Sequence, residues 1–400
     1  MHILLIHQAF AAINEPGGTR HHEISRFLVE RGHQVTVIAS PVSYLSGTSS
    51  HKTDEFIEGV RILRAYTYVA LHRSFIHRFF AFVSFMISSF FLGIGIKQVD
   101  LVWGTSPPIF QGVTALFLAR IKGAKFLFEV RDLWPEFAVA IGVLKNPILI
   151  KLSEWLERFL YRNSDQAIVN SPGYLEHVRE RGGKNVTLVP NGADLSMFNG
   201  NIDSASFIRQ NHLDGKFIVL YAGAHGISND LGVLIGAAEL LLDVPKIQIV
   251  LVGDGKEKEN LIKQAQEKEL TNLTFIKSTP KDQMAAVIAS SDVCVGILKP
   301  IDSYKKTYPN KIFDYMAGAK PIALVIDGVI RDVVTKADCG IFCQPGDPNG
   351  LANCIRRYYQ DPDLRRRHGE NGRRYLKENF DREMIAENFL VLINLLITPE

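Results

Sequence analysis

Apolar and polar positions along this chain fall into two rhythms. Short β-branched or apolar runs alternate with stretches in which apolar residues recur every three or four positions, the pattern of βαβ units around a parallel sheet. In the first half these runs predict strands at 3–6, 35–39, 101–104, 126–130, 167–170 and 186–189. Between the first two lies a helix with Ile24, Phe27 and Leu28 on one face and Gly32 where the chain leaves its last turn. Near 151–162, Leu152, Trp155, Leu156, Phe159 and Leu160 recur at helical spacing, which predicts an inward-facing apolar stripe. From residue 217 the alternation restarts, with FIVLYAG, IQIVLVG, LTFI, VCVGIL and PIALVI as strands and helical stretches such as 231–242 between them. The fold class expected is α/β, with two Rossmann-like doubly wound parallel-sheet domains, 1–200 and 215–375, facing a cleft. The segment 197–216, rich in Asn, Ser, Asp and Gly, reads as the linker. The tail is helical, and its stripe Phe389, Leu390, Ile393 and Leu396 suits packing of 380–400 back onto the first domain.

Length and composition narrow this picture without naming a function. Four hundred residues suit two domains, and 46% hydrophobic with 22% charged residues excludes a disordered or fibrous chain. The net charge, 45 − 42 = +3, is too small for a dedicated nucleic-acid binder. Cys294, Cys339, Cys343 and Cys354 form no CxxC pair and read as reduced, buried thiols of a cytoplasmic protein. The start, MHILLIHQAF, lacks a basic n-region and reads as a first strand, not a signal peptide. One segment is ambiguous. Residues 79–96 run 18 positions without a charge, between Arg73, His77 and Arg78 on one side and Lys97 on the other. That meets the lower length limit of a membrane span. Ser84, Ser88, Ser89 and two glycines suit a helix lying in the membrane surface, or a buried core helix, better. Peripheral contact with the inner face of the inner membrane through 79–96 is the expectation.

Candidate chemistry sits in the glycine loops. Gly17 and Gly18 precede the first helix, where backbone amides can approach an anion. Gly253-Asp254-Gly255 follows the strand IQIVLV, but Lys258 stands where the third glycine of a dinucleotide fingerprint would fall. Gly223 to Gly226 open toward a third helix start and offer a diphosphate cradle. There is no GxSxG and no P-loop. Asp361 and Asp363 flank Pro362 as a helix start and not as a metal site, so no metal or other cofactor is expected. His7, at a strand end, reads as a satisfied core histidine.

Taken together, GGTRHHEISRFLVERGHQVTVIAS, RDLWPE, LVPNGADLSMF, VLVGDGKEKENL and YPNKIFDYMAGAKPIA resemble, in order and over nearly the whole chain, retaining glycosyltransferase family 4. RDLWPE at 131–136 and PNK at 309–311 are similar to its bacterial O-antigen and capsule subgroup, which includes L-fucosamine transferases. The resemblance implies a GT-B fold, a nucleotide sugar held mainly by the second domain and an acceptor mainly by the first. It places the ribose-binding acid on Asp314, where the family usually has Glu, and the partner acid on Lys306, so that pair is incomplete. The phosphate-binding Arg and Lys fall on Ala224 and Asn229, and both cations are missing. Lys311 is the replacement expected to stabilise the leaving diphosphate, assisted by His225, the Gly223 and Gly226 amides and Arg20. With Pro309 and Asn310 beside it, and Gly17, Gly18, Asn229, Gly253, Asp254 and Asp314, this makes up the expected donor site. Arg131, Asp132 and Glu136 join Lys311 as catalytic candidates at a strand's C-terminal edge. Asn191 and Gly192 resemble the family's PNG turn, on the acceptor side or at the hinge.

The expected activity is transfer of a sugar, N-acetyl-L-fucosamine by subgroup resemblance, from a UDP-sugar to a lipid-linked O-antigen or capsule glycan. Two alternatives stand beside it. A UDP-sugar 2-epimerase shares the fold but needs no acceptor, and the absent Arg and Lys would suit a non-catalytic nucleotide-sugar-binding scaffold.

Overall fold

The computed structural model describes residues 1–15, 17–42, 52–69, 75–200 and 202–398. The chain forms two compact units, Met1–Pro190 with Glu383–Glu400, and Asn191–Arg382. The first contains β1 (His2–Ile6), β2 (Gln34–Ala39), β3 (Asp54–Ile57), β4 (Val60–Arg64), β5 (Leu101–Ser106), β6 (Lys125–Val130), β7 (Gln166–Val169) and β8 (Val186–Leu188). They pair in the order β3-β4-β2-β1-β5-β6-β7-β8, parallel throughout except for the β3–β4 hairpin. Its helices are α1 (Arg20–Glu30), α2 (Phe75–Ile94), α3 (Phe110–Lys122), α4 (Glu136–Ala140), α5 (Pro147–Asn163) and α6 (Leu175–Glu180).

The second unit has β9 (Phe217–Ala222), β10 (Ile247–Val252), β11 (Leu273–Ile276), β12 (Val293–Ile297), β13 (Ile322–Val325) and β14 (Gly340–Phe342), all parallel, in the order β11-β10-β9-β12-β13-β14. Its helices are α7 (Ser204–Gln210), α8 (Gly232–Leu240), α9 (Lys258–Glu267), α10 (Lys281–Ala289), α11 (Asn310–Ala317), α12 (Val329–Lys336), α13 (Pro348–Gln360) and α14 (Pro362–Asn379). The last helix, α15 (Arg382–Ile397), returns to the first unit.

Strands buried on both faces explain the unbroken apolar runs: β1, β5, β9 and β10 are buried along their whole length. One face of the first sheet, with Ile3, Leu5 and Trp103, packs against Ile24 and Leu28 of α1 and Phe389 and Ile393 of α15. The other face carries α3, α2 and α5. A Cβ on Gly104 would lie 2.6 Å from Ala115 of α3, and one on Gly112 of α3 would lie 3.0 Å from Leu160 of α5. In α2, Gly93 lets Leu118 of α3 approach just as closely. At α14, the Asp361 carboxylate accepts from the Leu364 amide at 2.9 Å and Pro362 opens the first turn, the helix start read from the sequence.

Three expectations need correction. The β3–β4 hairpin escapes the pattern because β3 is a half-solvated edge strand, turned at Glu58 and Gly59, both at positive φ. The expected linker 197–216 lies inside the second unit, where Phe198 joins the core and α7 forms; the chain leaves the first unit earlier, after Pro190. The stripe on α5 does not face inward as a whole: Leu160 is buried and Leu156 and Phe159 are half-buried, but Leu152 is 56% and Trp155 61% exposed. The side of α5 turned inward carries Glu157, Leu160 and Tyr161. There the buried Glu157 carboxylate accepts from Tyr161 Oη at 3.0 Å, His177 Nε2 at 2.7 Å and Arg181 Nε at 2.9 Å. Periodicity predicts that a face exists, not which side it takes. Arg73, one of the cations flanking the apolar segment, lies outside the described residues.

Phe389 of α15 is fully buried, its ring 4.9 Å from that of Trp103. Phe389→Ala is expected to cost the first unit about 3–5 kcal/mol through the cavity left behind. Hydrogen exchange should then accelerate across residues 1–190 and leave 191–382 protected.

Candidate active site

Each unit gathers its polar, ligand-capable groups at the C-terminal ends of its parallel strands, where open α/β sheets bind ligands. In the first unit the anchor is Glu129 on β6, a fully buried carboxylate. Arg20 Nε donates to its Oε1 at 2.9 Å, while His21 Nε2 at 2.6 Å and Trp103 Nε1 at 3.1 Å approach Oε2. Burial alone would raise the Glu129 pKa, but the charges and hydrogen bonds of His21 and Arg20 hold it well below the usual carboxylate range. Desolvation lowers His21 to about 4 despite the pull of Glu129. The pair at neutral pH is therefore a carboxylate and a neutral imidazole donating its Nε2–H.

Against His21 lies His7, with ring centroids 4.2 Å apart. His7 is fully buried and neither ring nitrogen has a hydrogen-bond partner. The expectation of a satisfied core histidine is therefore wrong. Desolvation holds its pKa well below the ordinary value, so the ring is neutral and offers one donor and one acceptor. Two further orphans follow the neighbouring strands: Arg131 Nε, after β6, and Asn170 Oδ1, after β7. Asp132 stands beside Arg131, and desolvation pushes its carboxyl up to about 6 against the pull of that guanidinium. Buried polar atoms without partners are rare, and several at one strand edge mark a place where a ligand supplies the missing bonds.

Several expected members of this group serve elsewhere. Arg20, expected to help the diphosphate, spends its other two nitrogens on the Pro190 and Val189 carbonyls at 2.6 and 2.7 Å. Glu136 lies in the first turn of α4 and binds His177 Nδ1 at 3.1 Å, which ties it to the Glu157 cluster and not to Asp132. Gly17 serves its own loop, where a Cβ would fall 2.8 Å from Ala11; Gly18 has open space around it.

In the second unit, β9 and β10 end in Gly223 and Gly253, and the two glycine loops meet backbone to backbone. A Cβ on Gly253 would lie 1.9 Å from the Gly223 carbonyl oxygen, and one on Gly255 would lie 2.4 Å from that of His225. The His225 amide donates to the Asp254 carbonyl at 2.7 Å. The His225 ring is buried with both nitrogens unpartnered, and desolvation lowers it to about 4. It can offer the donor a neutral N–H but no charge. Gly226 and Asn229 share the next turn, the Asn229 Nδ2 3.6 Å from where a Gly226 Cβ would sit.

Three lysines surround these loops. Lys258 donates to the Gly253 and Ile276 carbonyls at 2.7 and 3.1 Å. Lys281 is buried on Asp314 at 2.6 Å. Lys311, in the first turn of α11, contacts no acid among the described residues: its Nζ donates to Tyr221 Oη at 2.7 Å and lies 3.9 Å from that ring's centroid. A Cβ on Gly223 would touch its Nζ at 2.7 Å. Desolvation lowers its pKa to about 7. Pro309 caps the same helix. Asn310 accepts from Arg382 Nη2 at 3.4 Å, Gly192 O from the same nitrogen at 2.5 Å, and Asn191 Nδ2 donates to Tyr308 O at 2.7 Å. Asn191 and Gly192 thus brace the loop that presents Lys311. Sequence reasoning missed Tyr221, Lys281, His7 and Asn170. Only the place of the last two, directly after strands, was a signal.

Comparison with known proteins identifies the family. Residues 17–192 match the family described as "Glycosyl transferase 4-like domain" and residues 203–375 match "Glycosyl transferases group 1". The chain is 24% identical over 388 residues to the protein named as a colanic acid biosynthesis glycosyl transferase, WcaI, of Escherichia coli K12, covering 92% of this chain and 93% of the relative. It is 24% identical over 249 residues to the lipopolysaccharide core biosynthesis glycosyltransferase LpsE of Rhizobium meliloti, covering 61% and 68%. Its fold is similar to that of Anabaena HepE in complex with UDP, with a TM-score of 0.72 at 16% identity over 98% of this chain and 100% of that one. The fold is GT-B, and the chain is an enzyme of the glycosyltransferase class. Within that class it is of the family 4 type.

The glycine contact gives a prediction. Gly253→Ala forces a methyl into the Gly223 carbonyl and should cost about 3 kcal/mol. Thermal unfolding should show the loss, whereas Gly18→Ala, in open space, should leave stability unchanged.

Proposed function

We propose that this enzyme is a retaining glycosyltransferase that moves a sugar from a UDP-sugar to a hydroxyl of a lipid-linked O-antigen or capsule glycan. Lys311 carries the reading: a desolvated ammonium with no acid partner among the described residues, against the glycine loop where a diphosphate can reach backbone amides. Negative charge grows on the leaving diphosphate in the transition state, and a preorganised cation stabilises it there. The family's Arg and Lys at Ala224 and Asn229 are absent, so Lys311 takes over their task from α11. The acceptor hydroxyl attacks the face that the diphosphate leaves, and a phosphate oxygen takes its proton, so no protein base is obligatory. His7, Asn170, Arg131 and Asp132 are assigned to the acceptor, whose hydroxyls would satisfy their open hydrogen-bonding positions. No metal is assigned a step, because Asp361 of the one DxD-like string is occupied as a helix cap.

WcaI and LpsE are named for polysaccharide and lipopolysaccharide biosynthesis, which supports a membrane-borne glycan as acceptor. UDP in HepE supports a uridine nucleotide, and the RDLWPE and PNK strings support N-acetyl-L-fucosamine as the sugar. The enzyme would then work from the cytoplasm as a peripheral protein on the inner face of the inner membrane.

Turnover with a panel of UDP-, GDP- and dTDP-sugars, using membrane lipid extract as acceptor, tests this. Selective, extract-dependent transfer from a UDP-sugar is expected; turnover with a GDP- or dTDP-sugar instead would overturn the donor assignment. Lys311→Met should lower kcat by a factor on the order of 10²–10³, about 2.7–4 kcal/mol. Its protonation gives a second readout. The ammonium is charged below its pKa, and a diphosphate binds the charged form. UDP affinity should therefore be highest below pH 7 and weaken as pH rises through it, and Lys311→Met should flatten that slope in calorimetric titration.

A further inference from the structure

The outward sides of α2, α3 and α5 share one face of the first unit, on the sheet face opposite α1 and α15. Phe80, Ile87 and Phe91 are exposed on α2, Phe117 and Ile121 on α3, and Ile148, Leu152 and Trp155 on α5. A soluble surface scatters such residues singly, and three adjacent helices that line them up mark a contact site. On α5 the arrangement has no folding rationale. Its inner side is already closed by the Glu157 hydrogen bonds, while Trp155 stacks on Phe159 and remains 61% exposed.

The charges choose the occupant. Together α2, α3 and α5 carry six basic residues, Arg78, Arg120, Lys122, Lys151, Arg158 and Arg162, against two acids, Glu154 and the buried Glu157. Glu154 is itself 3.9 Å from Arg158. Arg120, Lys151, Arg158 and Arg162 are exposed, and an apolar band with an indole among them fits the interface of a bilayer with anionic headgroups. The inner stripe of α2, with Ala81, Phe85 and Ser89, is buried against the unit, so lipid cannot surround that helix as it would a span.

We infer that the protein docks on anionic bilayers through this three-helix face, with α5 inserted as an interfacial helix and Trp155 as its anchor, and not through residues 79–96 alone. The inference rests on the proposal that the enzyme works at a membrane surface. The full-length protein would be sedimented with vesicles of phosphatidylcholine alone and with 30% phosphatidylglycerol, with its tryptophan emission recorded. Wild type should bind the anionic vesicles at least tenfold more tightly, with a blue shift in emission. Leu152→Glu and Trp155→Glu, both at exposed positions, should each lower that binding at least tenfold while UDP binding and thermal unfolding stay unchanged. Binding that Phe91→Glu abolishes but both α5 substitutions leave intact would overturn the role of α5 and keep the membrane reading. Failure of wild type to bind any vesicle would overturn both. A dimer that the α5 substitutions dissolve, without vesicle binding, would assign the face to a second copy of the chain and overturn the inference.

Discussion

A fully buried carboxylate in the middle of a parallel sheet is tolerable only when its charge is matched, and Glu129 is matched from three elements. Arg20 and His21 reach it from the start of α1, and Trp103 reaches it from β5. Because Arg20 also donates to the Val189 and Pro190 carbonyls, the same charge fixes the chain where it leaves the first unit. The entry of α1 is thereby set, and with it the His21 ring against which His7 lies. Lose this carboxylate and the buried Arg20 loses its ion pair with Glu129. The unpartnered His7 after β1 is held through His21 in this way, although Glu129 itself is too enclosed to meet a substrate.

Under the proposed function the second unit faces a different problem, how to hold a diphosphate without the Arg and Lys that the family resemblance implies for the loop after β9. Two glycine loops pressed together at van der Waals limits expose backbone where a side chain would block approach. The charge beside these loops comes from α11, as Lys311. Its neighbours are a phenol and backbone, so the ammonium is poorly solvated and poorly paired, which is why its pKa falls to about 7. An arriving anion relieves that penalty. Asp314, three residues along α11, has the opposite arrangement: Lys281 meets its carboxylate at 2.6 Å, so the acid that the family resemblance assigns to ribose is oriented from α10.

The doubly wound pattern was legible because strands buried on both faces leave unbroken apolar runs, and six such runs in the first half correspond to β1, β2 and β5 to β8. The β3–β4 hairpin was not, since an edge strand carries polar residues. Sidedness was the other blind spot. The α5 spacing is correct for an amphipathic helix, yet whether Leu152 or Glu157 faces inward depends on His177 and Arg181, twenty or more residues away. For the site, motif order singled out Lys311 and the glycine loops as candidates. What those residues touch was not: Arg20 is turned to structural use by Glu129, 109 residues distant, and Asp314 is held by a lysine 33 residues before it.

Desolvation tunes the two units in opposite senses. It lifts Asp132 to about 6 and drops Lys311 to about 7, so an acid and a base that would ordinarily be fully charged at neutral pH both sit near their midpoints. Neither shift helps the unliganded protein, because each reflects a charge held out of water without full compensation. Both penalties fall when a substrate brings the complementary group, an anion to Lys311 or a hydroxyl donor to Asp132. Substrate binding is thereby coupled to the recovery of charge that folding suppressed. Such preorganisation acts most strongly where charge develops during reaction, and under the proposed function it singles out these two side chains rather than the better-paired Arg20, Lys281 and Glu157.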